Sequence, residues 1–187
     1  MMKKKGEWTI KETAQKFQCD FFEVIQDQVI KPDGSEGSYE TIKMKPGVNV
    51  LPLDENGNVY LATQYRYALE EDCLEVIAGG IEKGETPIES AKKEAHEELG
   101  IEAEEWTEFG VLNVDTSIVN SQAHQFLARK LKFKEPEQEG SENIKAVKVT
   151  LQEAVEKVLR GEITHAPSAA LILKVHVFLQ KNDAKSA

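Results

Sequence analysis

The chain is poor in the residues that would make a disulfide-stapled or zinc-bound protein. Its two cysteines, Cys19 and Cys73, stand far apart and outside any CxxC pair. They give neither a disulfide framework nor zinc-ligand spacing, and the four histidines are scattered as well. No apolar run reaches the ~20 residues that a membrane-spanning helix needs. The opening stretch "MMKKKGEWTI" carries charge with no apolar segment behind it, so it does not read as a secretory signal. Basic residues are outnumbered, 23 Lys and Arg against 33 Asp and Glu, for a formal net charge of -10. An acidic chain without a basic stripe argues against nucleic acid or an anionic membrane as partner. It leaves small phosphate ligands open, because a bound metal reverses the local field. The expected setting is a reducing cytoplasm.

Hydrophobic residues make up 40% and charged residues 30% of the 187, the balance of a folded chain. That length suits one packed domain, or one domain with a small extension. "DFFEVIQDQVIKPDGSEGSYETIKM" alternates apolar and polar residues on both sides of a Pro-Asp-Gly turn, the pattern of a hairpin. "GVNVLPLDENGNVYLATQYRY" repeats it. Its acidic turn is not a calcium loop, because Val59 stands where an EF-hand needs glycine. "CLEVIAGG" reads as one strand, and "FGVLNVDTS", "HQFLARKLKF" and "IKAVKVTL" as further strands. "LQEAVEKVLRG" reads as an amphipathic helix and "PSAALILKVHVFLQK" as an apolar final helix. Strands interrupted by a few helices predict an α+β domain with mixed strand pairing. A boundary near Lys45-Pro46 separates an N-terminal β unit, 1–45, from the main domain, 46–187.

The sharpest feature is "GGIEKGETPIESAKKEAHEELGI", residues 79 to 101. Thr86, Pro87 and Glu89 make a capping box at the start of a helix, and Gly100 can close it in the left-handed conformation. Ile88, Ala91, Ala95 and Leu99 form the apolar stripe. Glu94, Glu97 and Glu98 fall within an arc of roughly 100°, along the rim of the buried side. Each like-charge neighbour costs a few tenths of a kcal/mol. The negative end of the helix dipole adds ~0.3–1 kcal/mol. A divalent cation offsets these costs, and oxygen-only ligands point to Mg²⁺, with Mn²⁺ as the alternative, rather than zinc. Taken alone, three glutamates on a helix are more often a solvated face; the surrounding frame changes that.

That frame resembles the box of the Nudix hydrolases, Gly-x5-Glu-x7-Arg-Glu-U-x-Glu-Glu-x-Gly-U, where U is apolar. Here it reads Gly79, Glu85, Lys93, Glu94, Ala95, Glu97, Glu98, Gly100 and Ile101, with lysine in place of the box arginine. The sequence outside the box is similar to the ADP-ribose pyrophosphatase branch in "VLPLDENGNVYLATQYRY" and "LEVIAGGIEKGE". The resemblance implies a Nudix fold, an α/β/α sandwich with a mixed sheet, preceded by the N-terminal β unit.

It also implies roles. Glu94, Glu97, Glu98 and the carbonyl of Ala78 would hold Mg²⁺, with Glu94 and Glu98 in the catalytic set. Gly79 and Gly80 would let the backbone approach ion and substrate. Glu85 would orient the cluster through residue 93, although Lys93 lacks the planar fork of arginine. The general base would come from the acidic loop "EPEQEGSENI", Glu142 first and Glu139 second. Arg66 would contact phosphate, and Glu75 would help hold the nucleoside half or support its strand. His96 and His124 read as ordinary helix and strand residues. Trp8, Phe21 and Phe22 suit core or interface better than ligand. The implied reaction is hydrolysis of the pyrophosphate bond of a nucleoside diphosphate derivative, ADP-ribose to AMP and ribose 5-phosphate or a nucleotide sugar, by a homodimer. "NVDTSIVNSQ" lacks the proline of the "SPG"-like turn found in members acting on ADP-ribose, which keeps GDP-mannose open. A nucleotide-sensing module without turnover is the alternative of another class.

Overall fold

The computed structural model describes residues 2–138, 140 and 143–186. Its elements in chain order are β1 (Lys3–Lys5), β2 (Trp8–Gln18), β3 (Phe22–Ile30), β4 (Glu36–Met44), β5 (Gly47–Pro52), β6 (Asn58–Arg66), β7 (Glu71–Glu75) and β8 (Ile77–Gly80). Then follow α1 (Pro87–Leu99), β9 (Ile101–Asn113), β10 (Val119–Asn120), β11 (Gln122–Phe133), β12 (Lys145–Thr150), α2 (Leu151–Leu159) and α3 (Ala166–Ser186). No helix among the described residues is long and apolar enough to cross a membrane. The chain forms two compact units, Met1–Lys45 with Asn113–Gln122, and Pro46–Leu112 with Ala123–Ala187.

The first unit is one sheet in the order β1-β2-β3-β4-β10. The expected hairpin is β3 and β4, in antiparallel register from Phe22↔Met44 to Ile30↔Glu36. Its turn uses Asp33, whose Oδ1 accepts the Ser35 N–H at 2.9 Å, and Gly34 at φ 84°. The short β10 pairs parallel to β4. "FGVLNVDTS", expected as strand throughout, stops being strand after Asn113. Asp115 ends it: its Oδ1 accepts from the N–H groups of Ser117 and Ile118 and from Ser117 Oγ, each at 2.7 Å. A short side chain that satisfies two backbone donors makes a turn at the position where a proline was missing.

The second unit holds two sheets, β8-β5-β11-β9 and β12-β6-β7. Strand β5 is buried from Val48 to Pro52 and apolar there except for Asn49, because it is covered on both faces. Val48 and Val50 join a core with Ile77, Phe126 and the α1 residues Ala91, Ala95 and Leu99. Leu51 and Leu53 join another with Val59, Leu61 and Leu127, closed by α2 and α3 through Ala154, Val155, Leu171 and Ile172. Helices on both faces of mixed sheets make the α/β/α sandwich. β5 runs parallel to β11 and antiparallel to β8.

"CLEVIAGG", expected as one strand, is two. Glu75 ends β7 opposite Ala62, and Ile77 begins β8 opposite Val50. Between them the Val76 N–H has left one ladder before the next begins. A buried donor needs a partner, and Ser168 Oγ of α3 accepts it at 3.0 Å.

Helix α1 has the expected caps. Thr86 and Glu89 form a reciprocal capping box, and Gly100 sits at φ 63°, ψ 28°. The chain after β11 then docks on the helix end. Lys134 donates its N–H to Gly100 O at 2.8 Å. Gln138 Nε2 donates to Glu98 O at 2.9 Å and to Ile144 O at 2.8 Å, while its Oε1 accepts the Ile144 N–H at 3.2 Å.

Two stability predictions follow from that docking. A Cβ at position 100 would lie 2.1 Å from the Lys134 carbonyl oxygen, and the backbone there is left-handed. Gly100→Ala is expected to cost about 2–4 kcal/mol in urea unfolding, from the backbone conformation and the forced displacement together. Gln138→Ala strands the Ile144 N–H and should cost about 1–3 kcal/mol in the same assay.

Candidate active site

Helix α1 places its glutamates unequally. Ala91, Ala95 and Leu99 are buried and Ile88 is partly buried, which turns Glu98 inward to 2% exposure. Glu98 Oε1 accepts the Ala78 N–H at 3.3 Å, tying the helix to β8. Glu94 lies directly over Gly79: a Cβ there would be 1.9 Å from Glu94 Cδ. Glu97 is further out, 27% exposed, with Lys93 Nζ 3.9 Å away along the same helix face. Beside Gly80 there is open space.

Glu85 is held by another partner than residue 93. Its Oε2 accepts from Ser90 Oγ at 2.6 Å, and Ser90 is fully buried. That bond, and the Glu82 N–H behind it, hold the Glu85 carboxyl below the usual range. Lys93 acts on Glu85 only through its charge, which also lowers that carboxyl, while its ammonium lies 3.9 Å from Glu97. A lysine has one ammonium and no fork with which to grip a second carboxylate in a fixed plane.

The donor set suits a hard divalent ion in kind: carboxylates, a backbone strand end, and a glycine whose missing side chain leaves Glu94 room against β8. Among the described residues, no three His, Cys, Asp or Glu side chains converge closely enough to hold an ion.

A second charged group adjoins the helix. Arg66, at the end of β6, reaches along its strand to Glu75 at the end of β7. Its Nε lies 3.0 Å from Glu75 Oε1 and an Nη 2.5 Å from Oε2, a bidentate fork. Glu75 is only 3% exposed. The Glu75 carboxylate raises the Arg66 pKa against the opposing effect of burial, and Glu98 adds to the rise. Helix α1 and the β6–β7 pair therefore share one field. Arg66 and Glu75, assigned separately in the sequence to phosphate and nucleoside, hold each other.

His165, ahead of α3, completes this group and was not foreseen. Its Nδ1 is 2.8 Å from Ser168 Oγ and 3.5 Å from Glu75 Oε2. Burial lowers its pKa, with Glu75 opposing and Arg66 reinforcing, so the ring is neutral at pH 7. The available signal was weak: a histidine two residues before a helix-starting Pro167. Gln138 was equally invisible, since nothing in "EPEQEG" marks it.

Glu139 and Glu142 lie outside the described residues. His96 Nε2 stands 3.4 Å from Glu137 at the helix end, and His124 Nδ1 3.9 Å from Glu108. In the first unit Trp8 packs edge-on against Tyr39, with ring centroids 5.4 Å apart, and Phe22 against Phe17 at 5.6 Å. Phe21 is 77% exposed. Trp8 and Tyr39 also line a groove of about 540 Å³ with Asp27, Thr41, Asp115 and Asn120.

Comparison with known proteins agrees with this architecture. A family model described as the NUDIX domain matches residues 43–171. An ADP-ribose pyrophosphatase of Bacillus subtilis is 30% identical over the whole chain and 99% of its own length. An ADP-ribose pyrophosphatase of Mycobacterium tuberculosis is 30% identical over 83% of the chain and 76% of its own. A methanol dehydrogenase activator of Bacillus methanolicus is 29% identical over 84% and 85%. The crystal structure of an ADP compounds hydrolase superposes with a TM-score of 0.82 at 22% identity, covering 96% of this chain and 98% of that one. With the glutamate-bearing helix seated on the Gly79–Gly80 strand, these matches establish that the chain belongs to the Nudix family and is a Nudix hydrolase.

Proposed function

We propose that this hydrolase cleaves the pyrophosphate bond of a nucleoside diphosphate joined to a second moiety, with ADP-ribose as substrate and AMP and ribose 5-phosphate as products. The observation that carries the reading is the seating of Glu94 and Glu98 against the backbone of Ala78 and Gly79. Two relatives bearing the name ADP-ribose pyrophosphatase support the choice of substrate. The Asp115 turn, built without proline, favours keeping GDP-mannose as a second candidate.

Hydrolases of this family depend in general on a divalent cation. Mg²⁺, with Mn²⁺ as substitute, fits an all-oxygen set of Glu94, Glu97, Glu98 and the Ala78 carbonyl. When bound, it neutralises the diphosphate and acidifies a water. Gly80, with open space beside it, leaves room for the substrate's phosphates, while Gly79 makes the room that Glu94 takes up. Arg66 meets a phosphate oxygen through the part of its guanidinium that Glu75 does not occupy. A carboxylate of the acidic loop, Glu142 or else Glu139, takes the proton of the attacking water as the bridging P–O bond breaks. The first unit, with its exposed Phe21, serves as a pairing element for a homodimer.

Turnover assayed with Mg²⁺ across ADP-ribose, GDP-mannose, ADP-glucose and NADH should give the highest kcat/KM, and AMP, with ADP-ribose. Binding without turnover on all four would instead make the protein a sensor. Glu98→Gln keeps an oxygen for the Ala78 N–H, so its circular dichroism should match the parent. Glu97→Gln and Glu98→Gln are each expected to lower kcat by roughly 100-fold or more. Wild-type rates in either variant would remove the site assignment.

A further inference from the structure

Glu75 Oε2 has two neighbours of different kinds. One is the Arg66 guanidinium at 2.5 Å; the other is His165 Nδ1 at 3.5 Å. The imidazole is not a free surface ring. Ser168, fully buried, fixes it at 2.8 Å, and the same hydroxyl oxygen accepts the Val76 N–H. That N–H takes one of the hydroxyl oxygen's two lone pairs, and the imidazole at 2.8 Å engages the hydroxyl on its other side. The ring stands closer to the Ser168 hydroxyl than to Glu75 Oε2, 2.8 Å against 3.5 Å.

We propose that His165 is a positioning residue for Arg66: it walls Glu75 and occupies the Ser168 hydroxyl, so that the whole carboxylate is left to grip the guanidinium. This rests on the reading that Arg66 binds the diphosphate. While Ser168 Oγ is engaged by the ring at 2.8 Å, it is not free to turn to Glu75. Remove the ring, and the Ser168 hydroxyl can turn to the carboxylate while water enters beside it. Both draw charge away from the fork. Arg66 then samples more rotamers before substrate arrives, and that ordering is lost from binding. The fork is formed before any bond changes, so the loss falls on KM and not on kcat.

The geometry also sets which replacements should work. Asparagine carries an acceptor oxygen near the place of Nδ1 and can keep the Ser168 bond; glutamine carries its amide one carbon further out. With ADP-ribose and Mg²⁺ at pH 7.5, His165→Ala and His165→Gln are expected to raise KM roughly tenfold with kcat within about twofold. His165→Asn should stay within about threefold of the parent KM. In an Arg66→Ala background, His165→Ala should add nothing, because the group it acts through is gone.

His165 also stands at the start of α3, where its carbonyl accepts the Ala169 N–H at 3.0 Å. A purely helix-capping role would lower Tm in all three variants and leave KM unchanged, and that result overturns the proposal. So does an additive KM increase in the Arg66→Ala background. If Arg66→Ala itself leaves KM unchanged, the diphosphate reading fails first and takes this inference with it. The two failures are told apart by the single Arg66 variant.

Discussion

Helix α1 lies so near strand β8 that position 79 has no space for a side chain. Much of the site depends on that approach. Small residues at 91 and 95 let the helix sink onto the sheet, and glycine at 79 lets Glu94 occupy the volume a Cβ would fill. The helix is thereby pressed where Glu98 can reach the Ala78 N–H. The residue types of the box are in this sense one mechanical unit: the glycine makes the vacancy, the alanines bring the helix down, and the glutamates arrive at the strand end as a result. The cost is a concentration of negative charge near the helix C-terminus, where the dipole opposes it.

The protein handles its other buried carboxylate differently. Glu75 is almost wholly out of water, and a lone charge there would be very costly. It is held by two nitrogens of Arg66, with neutral His165 and Ser168 packed behind. A fork of this kind fixes a direction as well as a charge. Arg66, at the end of β6, is aimed by a strand residue and by the first turn of a helix that the chain reaches some ninety residues later. That turn also closes the gap in hydrogen bonding at Val76. One serine hydroxyl thus serves both the backbone where two sheets meet and the side chains that orient Arg66.

What the sequence made legible was whatever local chemistry determines. The capping box of α1, its left-handed glycine and the β3–β4 turn each depend on residues within a few positions of one another, and each is found as read. The apolar stripe placed Glu98 beside the core correctly. Long-range partners were not legible. Nothing in "CLEVIAGG" says that its strand divides at Val76, because the division is a matter of which sheet each half pairs with. The Arg66–Glu75 fork spans a hairpin, and His165 meets it from a distant segment. Within the box, nothing local says that Lys93 also stands 3.9 Å from Glu97, one turn along the helix.

The side chain of Gln138 spans the base of the segment that ends at Ile144, meeting that residue's backbone with both ends of its amide. Gln138 thereby pinches the two ends of that segment together and ties the start of β12 to the end of α1. Residues could be inserted or deleted beyond the pinch at a small entropic charge, with strand β12 and the end of α1 keeping their places. Descendants of this chain would then be free to vary that segment's length without rebuilding the helix end to which Gln138 is tied.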